Sequence, residues 1–485
     1  MKNSCVIDKT QKEKRMKKLY SVLIVILAYI LLYFEVVVFY VMPDTTLTFS
    51  KSLMYITVLI LLCAGTCYYM LYSDSEETKS LRKCAALALT MVLSQFLIIL
   101  FAHLLNLTFL APFALCGLIT SIMLDSKTGF FANFSLILAF FAAQLLFSSA
   151  PPSELYYPLF GGMFSSVIAS YLTTKNSRRI RYIFVGLQLS LFTVLSTIIC
   201  YFIFGVSYDA TTFFINIGTA FGSGFLCVMF MFLLVPIFER IFNLSTNFRL
   251  SELANTEQAL LKRLYDEAPG TFNHCLTVAN YAEACAVAIG ENPFLARAAA
   301  YYHDIGKLKN PNYFTENQNG GVNPHDELTP EASVMAIKKH IIYGLTLARE
   351  NHLPPEIERV ISEHHGTMPL KFFYLKAKKY TDGELPYDEY RYDGPIPTSK
   401  ISGIIMIADA AEAALRAGNR EDPAKIVNNI IAERMNFNQF VDCDLTMKDI
   451  DIIKSTIITT YMGIKHERIK YPKAKLVNNE KINKD

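Results

Sequence analysis

The 485-residue sequence contains no tryptophan and few charged side chains. Lysine, arginine, aspartate and glutamate make up 18% of it, against about 25% in an average soluble protein. Hydrophobic residues make up 52%, which excludes a disordered chain, a collagen-like chain and a purely soluble enzyme. The composition therefore indicates a membrane protein, in which tyrosine must take the place of tryptophan at the membrane interface.

The sequence also has no CxxC pair among its ten cysteines. Half of them fall in strongly apolar segments, namely Cys63, Cys67, Cys116, Cys200 and Cys227. A disulfide framework is therefore not expected, and the soluble part is predicted to face a reducing compartment. The net charge of +3 comes without an extended basic face, which argues against a nucleic acid polymer as partner.

Long apolar runs are concentrated in residues 19–242, which we predict to form a transmembrane helical bundle. About 20 apolar residues cross the hydrocarbon core as a helix, and eight segments reach or approach that length. They are 19–42, 53–73, 84–105, 107–124, 130–149, 157–173, 182–204 and 212–237. The first follows a basic amino terminus, 1–18, and lacks a small-residue cleavage site, so we interpret it as an uncleaved anchor.

The distribution of lysine and arginine predicts the orientation of these spans. With the amino terminus inside, the inside loops carry fifteen such residues and the outside loops carry only Lys51. An even number of crossings then places the carboxyl-terminal domain inside. With seven crossings, one half of the chain would instead carry its lysines and arginines in outside loops. Few ionisable groups lie within the spans; Glu35 and His103 are interpreted as structural, and a transporter is the weakest functional alternative.

The carboxyl-terminal part reads as an all-helical soluble domain at 271–472, between a juxtamembrane linker at 243–270 and a polar tail at 473–485. Apolar periodicity predicts helices at about 271–290, 294–304, 330–350, 354–365, 398–416, 422–434 and 447–466. The stretch 366–398, rich in Tyr, Gly, Pro and Lys, is expected to be a long irregular excursion over a site. The predicted fold class is therefore all-α.

Seven histidine and aspartate side chains of this domain stand among apolar neighbours. Each alone is more often a structural residue than a ligand, but a buried imidazole or carboxylate needs a partner. A shared metal site would supply partners for all of them together, which favours that reading of the whole set. The seven residues are His274, His303, Asp304, His340, His364, His365 and Asp409.

The motif HDIGK at 303–307 is the signature of HD-domain phosphohydrolases. The surrounding sequence resembles the seven-transmembrane-HD, PgpH-type, cyclic di-AMP phosphodiesterases in EAPGTFNHCLTVANYAEA, ARAAAYYHDIGKLKNPNYFTENQ, NPHDELTP, EHHGT and IADAAEAA. The resemblance is dense over 250–472. Two features depart from the family: about ten residues, 43–52, stand where a large extracellular domain is usual, and RYDGPIPTSK at 391–400 replaces RYPGPKPQTK.

The resemblance implies two divalent metal ions, manganese or iron, in a domain that lies in the cytoplasm of a bacterium. One ion would be held by His274, His303, Asp304 and Asp409, and the other by Asp304, His340, His364 and His365. The implied reaction is hydrolysis of cyclic di-AMP to linear pApA, with Asp304 and Lys307 as catalytic residues. Candidate substrate contacts are Lys307, Arg391, Tyr392 and Lys400, with His325 a further residue that could approach the site.

The residues leave two other classes of function open. One is an HD hydrolase of another nucleotide, such as cyclic di-GMP or a guanosine alarmone, although the GYP motif of the cyclic di-GMP enzymes is absent. The other is a non-catalytic nucleotide-binding membrane receptor, which seven metal-competent side chains disfavour. The oligomeric state is open as well, and the sequence is compatible with a homo-oligomer.

Overall fold

The computed structural model describes residues 2–42, 49–72, 80–149, 152–173, 180–204, 209–318, 320–379, 385–418 and 422–464. Over these residues the prediction of an all-α fold is confirmed: helices are joined by short 3-10 and π turns, and no strand is present beyond one isolated bridge, Pro369 to Arg391. The chain divides into two compact units, Met1–Gln258 with His352–Glu356 and Ala259–Asn351 with Ile357–Asp485. The predicted tail at 473–485 lies outside the described residues.

The first unit contains the apolar helices. They are α1 (Lys2–Val36), α2 (Phe49–Tyr72), α3 (Leu81–Ile99), α4 (Leu115–Met123), α5 (Ser126–Phe147), α6 (Pro152–Thr173), α7 (Ile180–Phe204) and α8 (Ala210–Ile241), followed by α9 (Asn247–Leu253). Six helices, α1 to α3, α5, α7 and α8, are long and apolar enough to cross a membrane. Helices α1 and α3 reach this length with short π-helical extensions to Val41 and Leu104.

The two remaining predicted spans differ from the other six. At 107–124, Pro112 separates a 3-10 turn, Thr108–Leu110, from the nine-residue α4. A helix of this length rises only about 14 Å, half of the hydrocarbon thickness. Almost every residue of α4 is buried, so its interrupted backbone lies against protein, as a membrane interior requires. Helix α6 is long enough but contains Glu154 and Pro158. The number of eight crossings therefore stays a prediction.

The two ionisable residues named in the spans have different surroundings. His103 Nε2 lies 3.0 Å from the Phe39 carbonyl oxygen, and the ring stacks on Tyr40 with centroids 4.1 Å apart. These contacts give His103 a structural role. Glu35 is half-buried, and one of its carboxylate oxygens has no hydrogen-bond partner among the described residues.

The second unit is the helical soluble domain. Its helices are α10 (Ala259–Glu267), α11 (Pro269–Ile289), α12 (Pro293–Tyr302), α13 (Pro330–Glu350), α14 (Pro355–Glu363), α15 (Lys371–Lys378), α16 (Lys400–Ala417), α17 (Pro423–Asn436) and α18 (Met447–Ile464). Seven of them match the predicted helices to within about two residues at each end. Proline occupies the first turn of α11, α12, α13 and α17, where its missing N–H has no helical partner to lose.

The expectation of an irregular excursion at 366–398 is wrong for residues 371–378, which form α15. Phe373 and Ala377 lie four residues apart on the buried face of this helix and belong to a cluster with Val334 and Tyr390. The lysine-rich composition of the segment obscured that spacing. Residues 380–384 of the excursion lie outside the described residues.

Candidate metal centre

Five places in the second unit bring the seven candidate ligands together. Helices α11, α13 and α16 carry His274, His340 and Asp409, the end of α12 carries His303 and Asp304, and the end of α14 carries His364 and His365. The ligand atoms form two groups, and within each group all of them lie within 4.8 Å of one another. One group is Asp304 with His340, His364 and His365, and the other is Asp304 with His274 and His303. Asp304 is the member common to both.

The two carboxylate oxygens of Asp304 face different histidines. Oδ2 lies 3.3 Å from His303 Nε2 and 3.6 Å from His274 Nε2. Oδ1 lies 3.5 Å from His340 Nε2 and 3.7 Å from His364 Nε2. A carboxylate placed in this way can bridge two cations, one on each oxygen.

Asp409 lies beside both groups. Its Oδ1 is 3.0 Å from His274 Nε2 and 3.9 Å from His303 Nε2, and its Oδ2 is 3.6 Å from His365 Nδ1. The predicted grouping of Asp409 with His274 and His303 is compatible with these distances. Its contact with His365 also connects it to the second group.

Three of the histidines are oriented by their own helices. In each, Nδ1 lies close to the backbone carbonyl oxygen three residues earlier, at 2.7 Å for His303, 2.6 Å for His340 and 2.9 Å for His364. An Nδ1–H that donates to this carbonyl leaves the Nε2 lone pair free on the opposite side of the ring. In all three residues that side faces Asp304.

Glu412 holds the fourth imidazole. It is buried on α16, and its carboxylate accepts a hydrogen bond from His274 Nδ1. A carboxylate behind a ligating histidine fixes the tautomer and raises the basicity of the other nitrogen. The sequence analysis missed Glu412, although its position three residues after Asp409, on the same helical face, was a signal that could have identified it.

The charges of the cluster suit cation binding. Burial raises the pKa of Asp304, but Lys307 and His303 outweigh it and hold that pKa well below its ordinary value. Burial and the neighbouring histidines lower the pKa of His364 to about 3, and the pKa of His365 is well below its ordinary value for the same reasons. These histidines are therefore neutral at pH 7 and Asp304 is ionised, which are the forms that bind metals.

His274 and His303 are exceptions. Burial lowers the pKa of His274, but its hydrogen bonds to Asp409 and Glu412 outweigh this and raise it to about 10. For His303 the charge of Asp304 likewise outweighs burial and raises the pKa well above its ordinary value. Protons on these rings occupy the side that a cation would occupy, so metal uptake should release them.

The cluster contains buried polar atoms that a metal would satisfy. Among the described residues, His303 Nε2 and Asp304 Oδ1 are both buried without a hydrogen-bond partner, an arrangement that is unfavourable in the absence of a ligand. Imidazole nitrogens and carboxylate oxygens are the donors that divalent transition metals accept. The residues present therefore fit the divalent metal binding that an HD domain implies.

A cavity of about 630 Å³ opens onto the cluster, a volume within the range of small-molecule sites. It is bounded by side chains from both metal groups, by aromatic and aliphatic side chains and by several charged ones. The lining includes His274, His340, His365, Asp409, Lys307, Glu316, Phe314, Ile337, Tyr392, Arg416, Glu433 and Arg434. The sequence analysis did not single out six of these residues: Phe314, Glu316, Ile337, Arg416, Glu433 and Arg434.

Lys307 and Tyr392, both candidates from the sequence, lie in this cavity. Lys307 Nζ is 2.7 Å from Asp304 Oδ2 and 2.8 Å from Glu316 Oε1. Burial lowers the pKa of Lys307, but these two carboxylates outweigh it and raise that pKa well above its ordinary value. Tyr392 stacks on His365 with ring centroids 4.3 Å apart and presents an aromatic wall beside the cluster.

Arg391, Lys400 and His325 are not among the residues that line the cavity. Arg391 Nε donates to the Thr367 carbonyl oxygen at 2.9 Å, and Lys400 Nζ lies 3.1 Å from Asp449 Oδ2. His325 Nε2 lies 2.9 Å from the Tyr313 carbonyl oxygen. Substrate contact by Arg391 and Lys400 stays a prediction, and in this structure both side chains hold neighbouring segments.

Two family models match the chain. Residues 271–414 match the HD domain, and residues 50–246 match the 7TM receptor with intracellular HD hydrolase. The chain is similar to this 7TM–HD family over both segments. Residues 50–246 contain seven of the eight segments predicted as spans, the number in the family's description. Together with six apolar helices, the match identifies a membrane protein.

Relatives of this 7TM–HD protein carry an activity in their names. Cyclic-di-AMP phosphodiesterase PgpH of Listeria monocytogenes serotype 1/2a (strain 10403S) is 39% identical over 371 residues, 76% of this chain and 51% of the relative. The protein of the same name from Bacillus subtilis (strain 168) is 44% identical over 255 residues, 52% of this chain and 36% of the relative. The chain spans about half the length, or less, of these curated relatives.

A solved structure is also similar to part of this chain. The crystal structure of the L. monocytogenes phosphodiesterase PgpH HD domain in complex with cyclic-di-AMP is 45% identical in sequence. The match covers 43% of this chain and 99% of that chain, with a TM-score of 0.42.

Replacing Glu412 by glutamine is expected to lower metal affinity by about ten- to a hundredfold. A neutral amide accepts the His274 Nδ1–H less strongly and no longer favours the tautomer that exposes Nε2. Metal titration of the purified full chain measures the effect. Glu358→Gln, which changes a carboxylate paired with exposed Arg349, is the matched control. Equal metal affinity in the two variants would show that Glu412 does not position His274.

Proposed function

We propose that the protein is a membrane-bound, metal-dependent phosphodiesterase that hydrolyses cyclic di-AMP to linear pApA. The observation that carries the proposal is the position of Asp304, whose two oxygens face separate sets of histidines beside a cavity. The names of two relatives, which match between half and three quarters of this chain, support the substrate.

The proposed ligand sets keep the grouping expected from the sequence. Asp304 would be shared, Asp409 would join His274 and His303 on one ion, and His340, His364 and His365 would hold the other. Manganese or iron suits these imidazole and carboxylate donors. Bound ions of this kind supply a water of lowered pKa and neutralise charge on the phosphodiester.

The remaining side chains act on the substrate directly. Lys307 stays protonated at neutral pH and is fixed between Asp304 and Glu316, so its charge faces the place where negative charge increases during hydrolysis. Tyr392 packs against His365, limits its rotation and offers an aromatic face to an adenine base. Phe314 and Ile337 add apolar surface on the cavity wall.

We infer that the hydrolase unit lies in the cytoplasm. Fifteen lysines and arginines in the predicted inside loops, against one outside, support this orientation. The family description, which places the HD hydrolase inside the cell, agrees with it.

The test uses the purified full chain with Mn²⁺ or Fe²⁺ and a panel of cyclic di-AMP, cyclic di-GMP and a guanosine alarmone. We expect pApA as product, the highest kcat/KM for cyclic di-AMP, and loss of turnover with a chelator. Faster turnover of another member of the panel would contradict the substrate. Stable binding of cyclic di-AMP without product would instead indicate a receptor.

A further inference from the structure

The cavity continues beyond the metal cluster along one face of α16. Asp409 and Arg416 line it seven positions apart, a rise of about 10 Å along the helix. Between them the lining side chains are Ala410, Ala413 and Ala414. Because methyl groups occupy little volume, this wall leaves room for a ligand that extends well past a single phosphodiester at the cluster.

Arg434 faces the same cavity from α17, together with Ile430 and Glu433. Its side chain is only 14% exposed, and its Nη1 lies 2.7 Å from Glu433 Oε2. Glu433 also binds Lys371, so two cations share one carboxylate and a positive charge is left over. Lys371 lies on α15 and does not line the cavity, so of these two cations only Arg434 faces a ligand there.

The guanidinium of Arg434 also has an unused donor. Its Nε is buried and has no hydrogen-bond partner in the structure. Arg434 lies in the last turn of α17, where the helix dipole favours a cation. The dipole does not supply a hydrogen-bond acceptor for the buried Nε–H. A buried donor without an acceptor is unfavourable, and an anionic oxygen in the cavity would relieve it.

We propose that Arg434, with Arg416 as a second cation, binds the phosphodiester that is not being hydrolysed. The inference rests on the proposed function, since a cyclic dinucleotide carries phosphodiesters on opposite sides of its ring and one of them occupies the metal centre. Lys307 is less suited to this task because two carboxylates hold its ammonium, whereas Arg434 and Arg416 each lie beside one, Glu433 and Glu412. Arginine is suited to it because its planar fork of N–H groups matches phosphate oxygens.

This assignment predicts a specificity effect. Hydrogen bonds to a remote phosphodiester hold the substrate in both its ground state and its transition state, so their loss raises KM more than it lowers kcat. A small diester with a single phosphate has no second phosphodiester for Arg434 to bind. The ratio of kcat/KM for cyclic di-AMP to that for bis(p-nitrophenyl) phosphate therefore reports on the subsite.

The experiment compares the full-length wild type with Arg434→Gln on these two substrates at saturating Mn²⁺. We expect KM for cyclic di-AMP to rise about ten- to a hundredfold, and the ratio of kcat/KM values to fall accordingly. Arg434→Lys should recover part of the affinity, since it restores the charge without the fork. The control is Arg349→Gln, which removes an arginine that is 68% exposed and does not line the cavity.

An unchanged KM for cyclic di-AMP, or an equal loss on both substrates, would overturn the proposal. Bound metal and melting temperature show whether Arg434→Gln is folded, and Arg434→Lys decides the question if it is not. Failure of the proposed function is seen separately, as a wild type that cleaves the small diester but not cyclic di-AMP. In that case the wild type and Arg434→Gln are compared by their KM for whichever other cyclic dinucleotide the wild type cleaves.

Discussion

Asp304→Ala is expected to abolish hydrolysis and to remove metal from both positions at once. The two oxygens of this carboxylate face separate groups of histidines, so no other single side chain of the cluster contributes to both in the same way. Loss of the bridging charge also leaves Lys307 buried with only Glu316 beside it. Turnover should fall by at least about a thousandfold, measured as pApA formed by the purified protein.

The matched control is Asp388→Ala, which removes a carboxylate that is 91% exposed and bound to Arg391. This variant should retain turnover and metal content. Metal analysis of Asp304→Ala at equal protein concentration shows whether the ions leave together. Wild-type turnover, or full metal occupancy, in Asp304→Ala would refute the assignment of Asp304 as the shared ligand.

Gly306→Ala should disrupt the site from a position that touches no substrate. A Cβ atom at Gly306 would lie 1.8 Å from the carbonyl oxygen of His340 and 2.5 Å from the backbone nitrogen of Gly344. Both are backbone atoms of α13, which cannot rotate aside as a side chain can. Helix α13 must therefore shift and carry His340 away from Asp304. We expect a loss of about 3 kcal/mol or more in the free energy of unfolding, together with loss of hydrolysis.

Gly463→Ala is the control for this substitution. Gly463 lies near the end of α18, and apart from its own helix no heavy atom of the described residues lies within 4 Å of a Cβ placed there. Alanine should be neutral or stabilise the helix by up to about 1 kcal/mol. Denaturant unfolding and metal analysis of the two variants measure the difference. A Gly306→Ala protein with unchanged stability and activity would show that the close approach of the two backbones is not needed.

Much of the soluble unit could be predicted because its helices carry regular apolar spacing and clear first-turn signals. His274, Asp304 and Asp409 were singled out because buried polar groups need partners, and their assignment to one ion came from the resemblance to the PgpH-type family. Glu412 and Arg434 could not be found in the same way. Each looks like an ordinary charge on a helix surface until the rotation of that helix is known, and Glu412 meets a histidine 138 residues away.

In the membrane part, prediction from the sequence is limited in a different way. Hydropathy locates apolar segments, but it does not tell whether a segment faces lipid or protein. Residues 107–124 read as one span, yet Pro112 divides them and α4 is buried over most of its length. Arg391 and Lys400 illustrate the same limit at the site, because a basic loop residue is assigned to a ligand or to an internal partner only by its contacts.

The contacts of His303, His340 and His364 with their own helices have a consequence for how the centre is assembled. Each ring loses its rotational freedom during folding, when its Nδ1–H finds the carbonyl of the preceding turn. Little conformational entropy is then left to be lost when an ion arrives. The three histidines would therefore keep their orientation when a metal ion leaves, and a new ion could bind without reordering them.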